Sequence, residues 1–135
     1  MTPETLLPYV RFLHLVAAAT WTGGMLTLAL LVVALRRAGA ERAHLQAAAR
    51  MFGRVSWAAM AIAIATGITQ VIWMRLPWSY GRLHVKIGLV AFAVLVAGVH
   101  QLTAKRTSAR TRGMIQAVLL LASLAIFAAA VSLGA

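Results

Sequence analysis

Four long stretches of the sequence contain no Lys, Arg, Asp or Glu, and shorter segments that carry basic residues separate them. The stretches are 12–35, 55–74, 87–104 and 113–135. A helix needs about 20 residues to cross a bilayer core at about 1.5 Å per residue, and each stretch reaches or approaches that length. The pattern predicts an all-α integral membrane four-helix bundle. We expect a single transmembrane domain over 1–135, with helices at about 7–36, 52–75, 80–104 and 112–134.

Basic residues are distributed unevenly among the segments that flank the predicted helices. Nine of them lie after the first and third helices, five in 36–54 and four in 105–112, and only four lie at the opposite ends. Loops rich in Lys and Arg stay in the cytoplasm. This distribution predicts that both termini are outside and that the chain is a multi-pass protein of a bacterial-type inner membrane.

Composition narrows the possible chemistry. Hydrophobic residues make up 62% of the chain, against about 45–50% in soluble domains, so the lipid bilayer is the expected environment. The net charge of +11 does not indicate nucleic-acid binding, because the basic residues form no continuous face. No cysteine is present, and only Glu4 and Glu41 are acidic. Thiol chemistry and paired-carboxylate chemistry are therefore excluded, which leaves redox or metal handling.

Two histidines are candidate ligands in the outer halves of the first and third predicted helices. Imidazole binds haem iron, and small residues nearby make room for the porphyrin. His14 shares its helix face with Trp21, and His84 shares its face with Gly88. His100 lies about 24 Å along the helix from His84 and is a weaker candidate, because the two cannot share one metal. Hydrogen bonding at the membrane interface is the simpler alternative for each of these side chains.

Several other polar side chains could support such a site. Arg82 and Lys86 form a basic rim that suits porphyrin propionates, although Lys86 could equally extend to lipid headgroups. Met74 offers a soft thioether that, with His14 and His84, could bind copper. Thr66, in the second helix, is placed to hydrogen-bond across helices or to touch a cofactor.

Short motifs in the first three helices resemble a known superfamily. Leu13-His14 with Trp21–Met25, Phe52–Ser56 with Thr66-Gly67, and Ser79–Val90 resemble successive helices of the CopD copper-resistance membrane domain. The stretch Leu83–Lys86, with His100 downstream, also resembles the HemJ-type protoporphyrinogen oxidases, which bind haem b. The resemblance implies that His14, His84 and Lys86 are functional positions, with Lys86 the catalytic candidate. His84 stands where the copper-resistance pattern usually has an aliphatic residue, which favours haem.

Three hypotheses follow for the function. The first is a b-type haem membrane redox protein in electron transfer or porphyrin-related oxidation, with His14 and His84 as axial ligands and Arg82, Lys86, Trp21 and Gly88 around the cofactor. The second is a copper-binding or copper-transport module that uses His14, His84 and Met74. The third is an accessory membrane subunit without a cofactor. A second copy of the chain or a redox protein is the expected partner.

Overall fold

Over residues 1–133, which the structure describes, the computed structural model contains four α-helices. They are α1 (Pro3–Arg37), α2 (Arg42–Trp73), α3 (Gly81–Thr103) and α4 (Ala109–Ser132). Each helix is long and apolar enough to cross a membrane. The predicted all-helical class and the four helices of spanning length are therefore confirmed, and their length and composition suggest a multi-pass membrane protein.

The helices pair into two compact units. One unit covers Met1–Leu76, where α1 packs against α2, and the other begins at Pro77, where α3 packs against α4. Each unit is an antiparallel helical hairpin joined by a short turn, as expected where helices adjacent in sequence are connected by few residues.

The main difference from the predicted boundaries is the start of α2. The helix begins at Arg42, about ten residues before the predicted position 52. Residues 42–51 include four alanines and contain neither Gly nor Pro, so their helix propensity is high. The prediction followed the apolar stretch, which begins only after Arg54 and therefore marks only part of the helix. Position 134, the predicted last residue of the fourth helix, lies outside the described residues.

Both helices of the first hairpin are followed by a residue in the left-handed backbone conformation. After α1, Gly39 has φ +80°, and after α2, Arg75 has φ +52°. Both ends show the hydrogen-bond pattern of the Schellman motif, in which the last turn of carbonyls is satisfied by following amides. The bonds are Ala40 N–H to Leu35 C=O (2.9 Å), Gly39 N–H to Arg36 C=O (3.1 Å), Leu76 N–H to Val71 C=O (3.1 Å) and Arg75 N–H to Ile72 C=O (3.2 Å).

Arginine side chains satisfy carbonyl groups at both ends of the second hairpin. The Arg82 guanidinium, in the first turn of α3, donates to the carbonyl oxygen of Ser132 at the end of α4, at 2.8 Å. At the turn, Arg112 Nη1 donates to the carbonyl oxygens of Ala104 (3.1 Å) and Thr107 (2.8 Å). Cations are favourable at the carboxyl ends of helices, so these contacts tie α3 to α4 at both ends.

Candidate functional site

The imidazole of His14 is bonded across the first hairpin. Its Nδ1 lies 2.9 Å from the carbonyl oxygen of Ala63 and 3.0 Å from the hydroxyl oxygen of Thr66. A carbonyl oxygen only accepts, so Nδ1 carries the proton and Nε2 carries the lone pair. The Thr66 hydroxyl donates to the carbonyl oxygen of Ile62 at 2.6 Å, which leaves its oxygen to accept from His14. The predicted hydrogen bond of Thr66 across helices is thus confirmed.

Gly67 lies directly beside this imidazole. A β-carbon at position 67 would stand 3.3 Å from Cε1 of His14 and 3.7 Å from Nδ1. Contacts at 3.3 Å are tight for carbon atoms, so any larger side chain at this position would displace the ring. Thr66-Gly67 belongs to one of the sequence motifs, but nothing in the sequence identifies Gly67 or the Ala63 carbonyl as partners of His14.

The arrangement around His14 is one that suits a metal ligand. Histidines that bind metal usually donate their other ring N–H to a carbonyl or carboxylate group, which sets the tautomer, orients the ring and raises its basicity. In this hairpin Ala63 and Thr66 hold the proton at Nδ1. The donor set therefore fits an imidazole that binds iron or copper through Nε2.

The small residue Gly24, on the His14 side of α1, does not leave open space. A β-carbon at position 24 would collide with the ring of Phe52 in α2. The volume beside Gly24 is thus filled by Phe52, contrary to the expectation that small residues on this face make room for a flat cofactor. Trp21 is buried, and its contact with a cofactor stays a prediction.

His84, in contrast, lies on an exposed face of α3. His84, Gly88, Ala91 and Leu95 are all exposed and follow one another at helical spacing. A β-carbon at position 88 would meet no other atom within 4 Å. The His84 imidazole makes no hydrogen bond to another residue within 1–133. This face can therefore receive a ligand, a partner or lipid.

The two basic candidates on α3 have different environments. Arg82 is engaged with the carbonyl oxygen of Ser132, so contact with a propionate would compete with that bond. Lys86 is half-buried, whereas His84 is exposed. The two side chains therefore occupy different sides of α3, as their separation of two residues requires.

His100 is bonded to α4 through the nitrogen that a metal would use. Gln116 Nε2 lies 3.1 Å from His100 Nε2, and since an amide NH₂ only donates, the imidazole accepts. The proton then lies on Nδ1, which is buried without a hydrogen-bond partner among the described residues. A metal at Nε2 would have to displace Gln116, so the geometry favours a role for His100 in packing α3 against α4.

Met74 has a cationic neighbour. Arg11 Nη2 lies 3.5 Å from the Met74 sulfur, and a guanidinium beside the thioether opposes the approach of a copper ion. Among residues 1–133, no group of three or more His, Cys, Asp or Glu side chains is placed to hold a metal ion. A haem with two axial imidazoles needs only two such ligands.

Comparison with known proteins does not assign a function to these side chains. No protein-family model, no curated protein and no solved structure matches the chain. The resemblance to the copper-resistance and HemJ-type families therefore stays a prediction based on the motifs.

Proposed function

We propose that this chain is a b-type haem-binding integral membrane redox protein that works in electron transfer or in porphyrin-related oxidation. The residues that would hold the haem iron are His14 and His84. The observation that carries the proposal is the hydrogen bond from His14 Nδ1 to the Ala63 carbonyl oxygen at 2.9 Å. Haem, when bound, supplies a one-electron iron couple.

The first hairpin supports the proposal through the orientation of His14. Ala63 and Thr66 hold the proton at Nδ1, so the lone pair at Nε2 is the one that would reach iron. A hydrogen bond to the non-ligating nitrogen makes the imidazole a stronger donor. Gly67 allows the ring to lie close to α2, and this limits the rotation that would otherwise weaken the ligand.

The second hairpin supports the proposal through the exposure of His84. Its imidazole forms no hydrogen bond with another side chain within 1–133. Gly88 and Ala91, on the same face, have small side chains. Gly88 and Ala91 project no large side chain toward a planar ligand that approaches His84. Lys86 is the proposed catalytic residue if the activity is porphyrin oxidation, whereas electron transfer alone needs no such residue.

The orientation of the protein is part of the proposal. Nine basic residues flank one side of the four apolar stretches and four flank the other, which supports cytoplasmic turns after α1 and α3. His14 and His84 would then lie in the outer leaflet of a bacterial-type inner membrane. A redox partner or a second copy of the chain would approach the haem from that side.

The absorption spectrum of the purified full-length protein, expressed with haem supplied, tests the proposal. We expect a Soret band and sharp α and β bands on reduction, and His84→Ala should abolish or shift them while His44→Ala should not. A colourless protein with stoichiometric copper would support the copper module instead. A colourless protein without metal would support an accessory subunit, and either result would overturn the haem proposal.

A further inference from the structure

We propose that the α1–α2 hairpin binds one anionic phospholipid, whose phosphate contacts Arg50 and Arg54 and whose acyl chain lies in the groove between α1 and α2. The proposal is independent of haem binding. It requires only that the hairpin is in a membrane, as the length and composition of α1 and α2 suggest.

Two contacts set the register of the hairpin. His14 meets Ala63, and Gly24 meets Phe52, so the middle of α1 lies beside the first third of α2. Arg50 and Arg54 flank Phe52, each about 3 Å along the helix axis from it. Arg54 directly precedes the charge-free stretch 55–74, so both arginines lie where α2 enters the apolar layer.

Arginines at the edge of the apolar layer favour an anionic partner. A guanidinium in the apolar layer is unfavourable unless it reaches phosphate, water or an acidic side chain. Arg50 and Arg54 are both exposed, and neither forms a hydrogen bond or ion pair with another residue in the part of the chain that the structure describes. Their spacing of four residues puts them on the same side of α2, so both can contact one phosphate, which guanidinium groups bind well.

An apolar groove begins next to Arg54 and continues along the hairpin. It has a volume of about 280 Å³, and its walls include Leu13, Val16 and Thr20 of α1 and Val55, Ala58 and Ile62 of α2. Ala58 follows Arg54 by one helical turn, and Ile62 lies about 12 Å from Arg54 along the axis. A lipid whose phosphate is at Arg54 can therefore lay the first part of an acyl chain in this groove.

Charge at this end of the hairpin favours an anionic lipid over a zwitterionic one. Arg36, Arg37 and Arg42 lie in the same region, and Glu41 is the only acidic residue near them in the sequence. Such a basic cluster attracts any anionic surface. Arg36 and Arg37 end α1 and are exposed, so a variant that removes their two charges is a matched control for general attraction.

Native mass spectrometry of the full-length protein in detergent, with equimolar phosphatidylglycerol and phosphatidylcholine of identical chains, tests the site. We expect one phosphatidylglycerol to be retained with at least about tenfold preference, the effect of one or two charged hydrogen bonds. Arg50→Gln/Arg54→Gln should abolish the preference, and Arg36→Gln/Arg37→Gln should retain most of it. Equal loss in the two double variants, or no preference in the wild type, would overturn the proposal.

The groove is tested separately from the phosphate contact. Thr20→Leu/Ala58→Leu fills the groove and should weaken retention of phosphatidylglycerol, whereas Ala61→Leu, outside the groove wall, should not. Glycerol 3-phosphate has the anionic group but no acyl chain, and it should fail to displace the bound lipid. Displacement by glycerol 3-phosphate would show a simple anion site and would contradict the proposal. Circular dichroism of each variant verifies that its helical content is retained.

Discussion

The ring of Phe52 in α2 occupies the space above Gly24 in α1, where a β-carbon would collide with it. Both residues belong to short motifs that resemble the copper-resistance pattern, one in each helix. Their meeting shows that the glycine allows a close aromatic contact between helices, in the way that small residues generally permit helices to approach in lipid. The contact also sets the register that places His14 opposite Ala63.

We predict that Gly24→Ala destabilises the protein. The Phe52 ring would have to move, and overpacking of this kind costs about 1–3 kcal/mol. Gly23→Ala is the matched control, because a β-carbon at position 23 meets nothing within 4 Å and alanine has the higher helix propensity. Thermal unfolding in detergent should show a lower Tm only for Gly24→Ala, and adding Phe52→Leu should restore part of the loss. Equal Tm values for the two glycine variants would contradict the contact.

Substitutions at the two residues with positive φ, Gly39 after α1 and Arg75 after α2, should change stability in opposite directions. Arg75 has φ +52°, a conformation that costs a residue with a side chain about 1 kcal/mol more than it costs glycine. Arg75→Gly should therefore raise the free energy of unfolding by roughly 0.5–1 kcal/mol. Gly39→Ala, at φ +80°, should lower it by a similar amount. A lower stability for Arg75→Gly would mean that the arginine side chain contributes more than its backbone conformation costs.

The bond between Arg82 and Ser132 should contribute to the stability of the second hairpin. Removing the guanidinium with Arg82→Gln leaves the last carbonyl groups of α4 without this donor, and we expect a loss of about 1 kcal/mol for an exposed charged hydrogen bond. Arg110→Gln removes the same charge from an exposed side chain that forms no hydrogen bond within 1–133. Chemical unfolding of the two variants compares them directly, and indistinguishable curves would show that the bond does not contribute.

Thr66 should influence haem binding through His14. Thr66→Val removes one of the two acceptors near Nδ1, and changes of this kind around a metal ligand typically lower affinity by about 10–100-fold. Since the Ala63 carbonyl remains, we expect a loss near tenfold. Thr69→Val is the control, because among residues 1–133 the Thr69 hydroxyl bonds only to the carbonyl oxygen of Ala65, within its own helix. Haem titration of both variants would contradict the expectation if the two affinities were equal.

Much of the fold could be predicted from the sequence because apolar stretches and their basic flanks carry the signal. The number of helices and three of the four helix starts follow from that pattern to within a few residues. The start of α2 could not be predicted in this way, since residues 42–51 carry two arginines and a histidine but are helical. Helix propensity, rather than hydropathy, determines that boundary.

The sequence draws attention to only some of the side chains at the candidate site. His14 and His84 stand out as costly residues in apolar helices, and Thr66 as a polar neighbour. The Ala63 carbonyl has no signature in the sequence, because every residue has a backbone carbonyl. Only the register between α1 and α2 determines which carbonyl meets His14. The same holds for contacts over long sequence separations, such as Gln116 with His100 and Arg82 with Ser132.

The spectrum of His14→Ala tests the proposed function most directly. If the Ala63 carbonyl and Thr66 orient His14 as an axial ligand, the reduced-minus-oxidised difference spectrum of purified His14→Ala should lose its sharp α band. The band should return, at least in part, when imidazole is added, because free imidazole can replace the missing ring. His44→Ala should retain the wild-type spectrum. An unchanged α band in His14→Ala would exclude His14 as a haem ligand and would contradict the central claim.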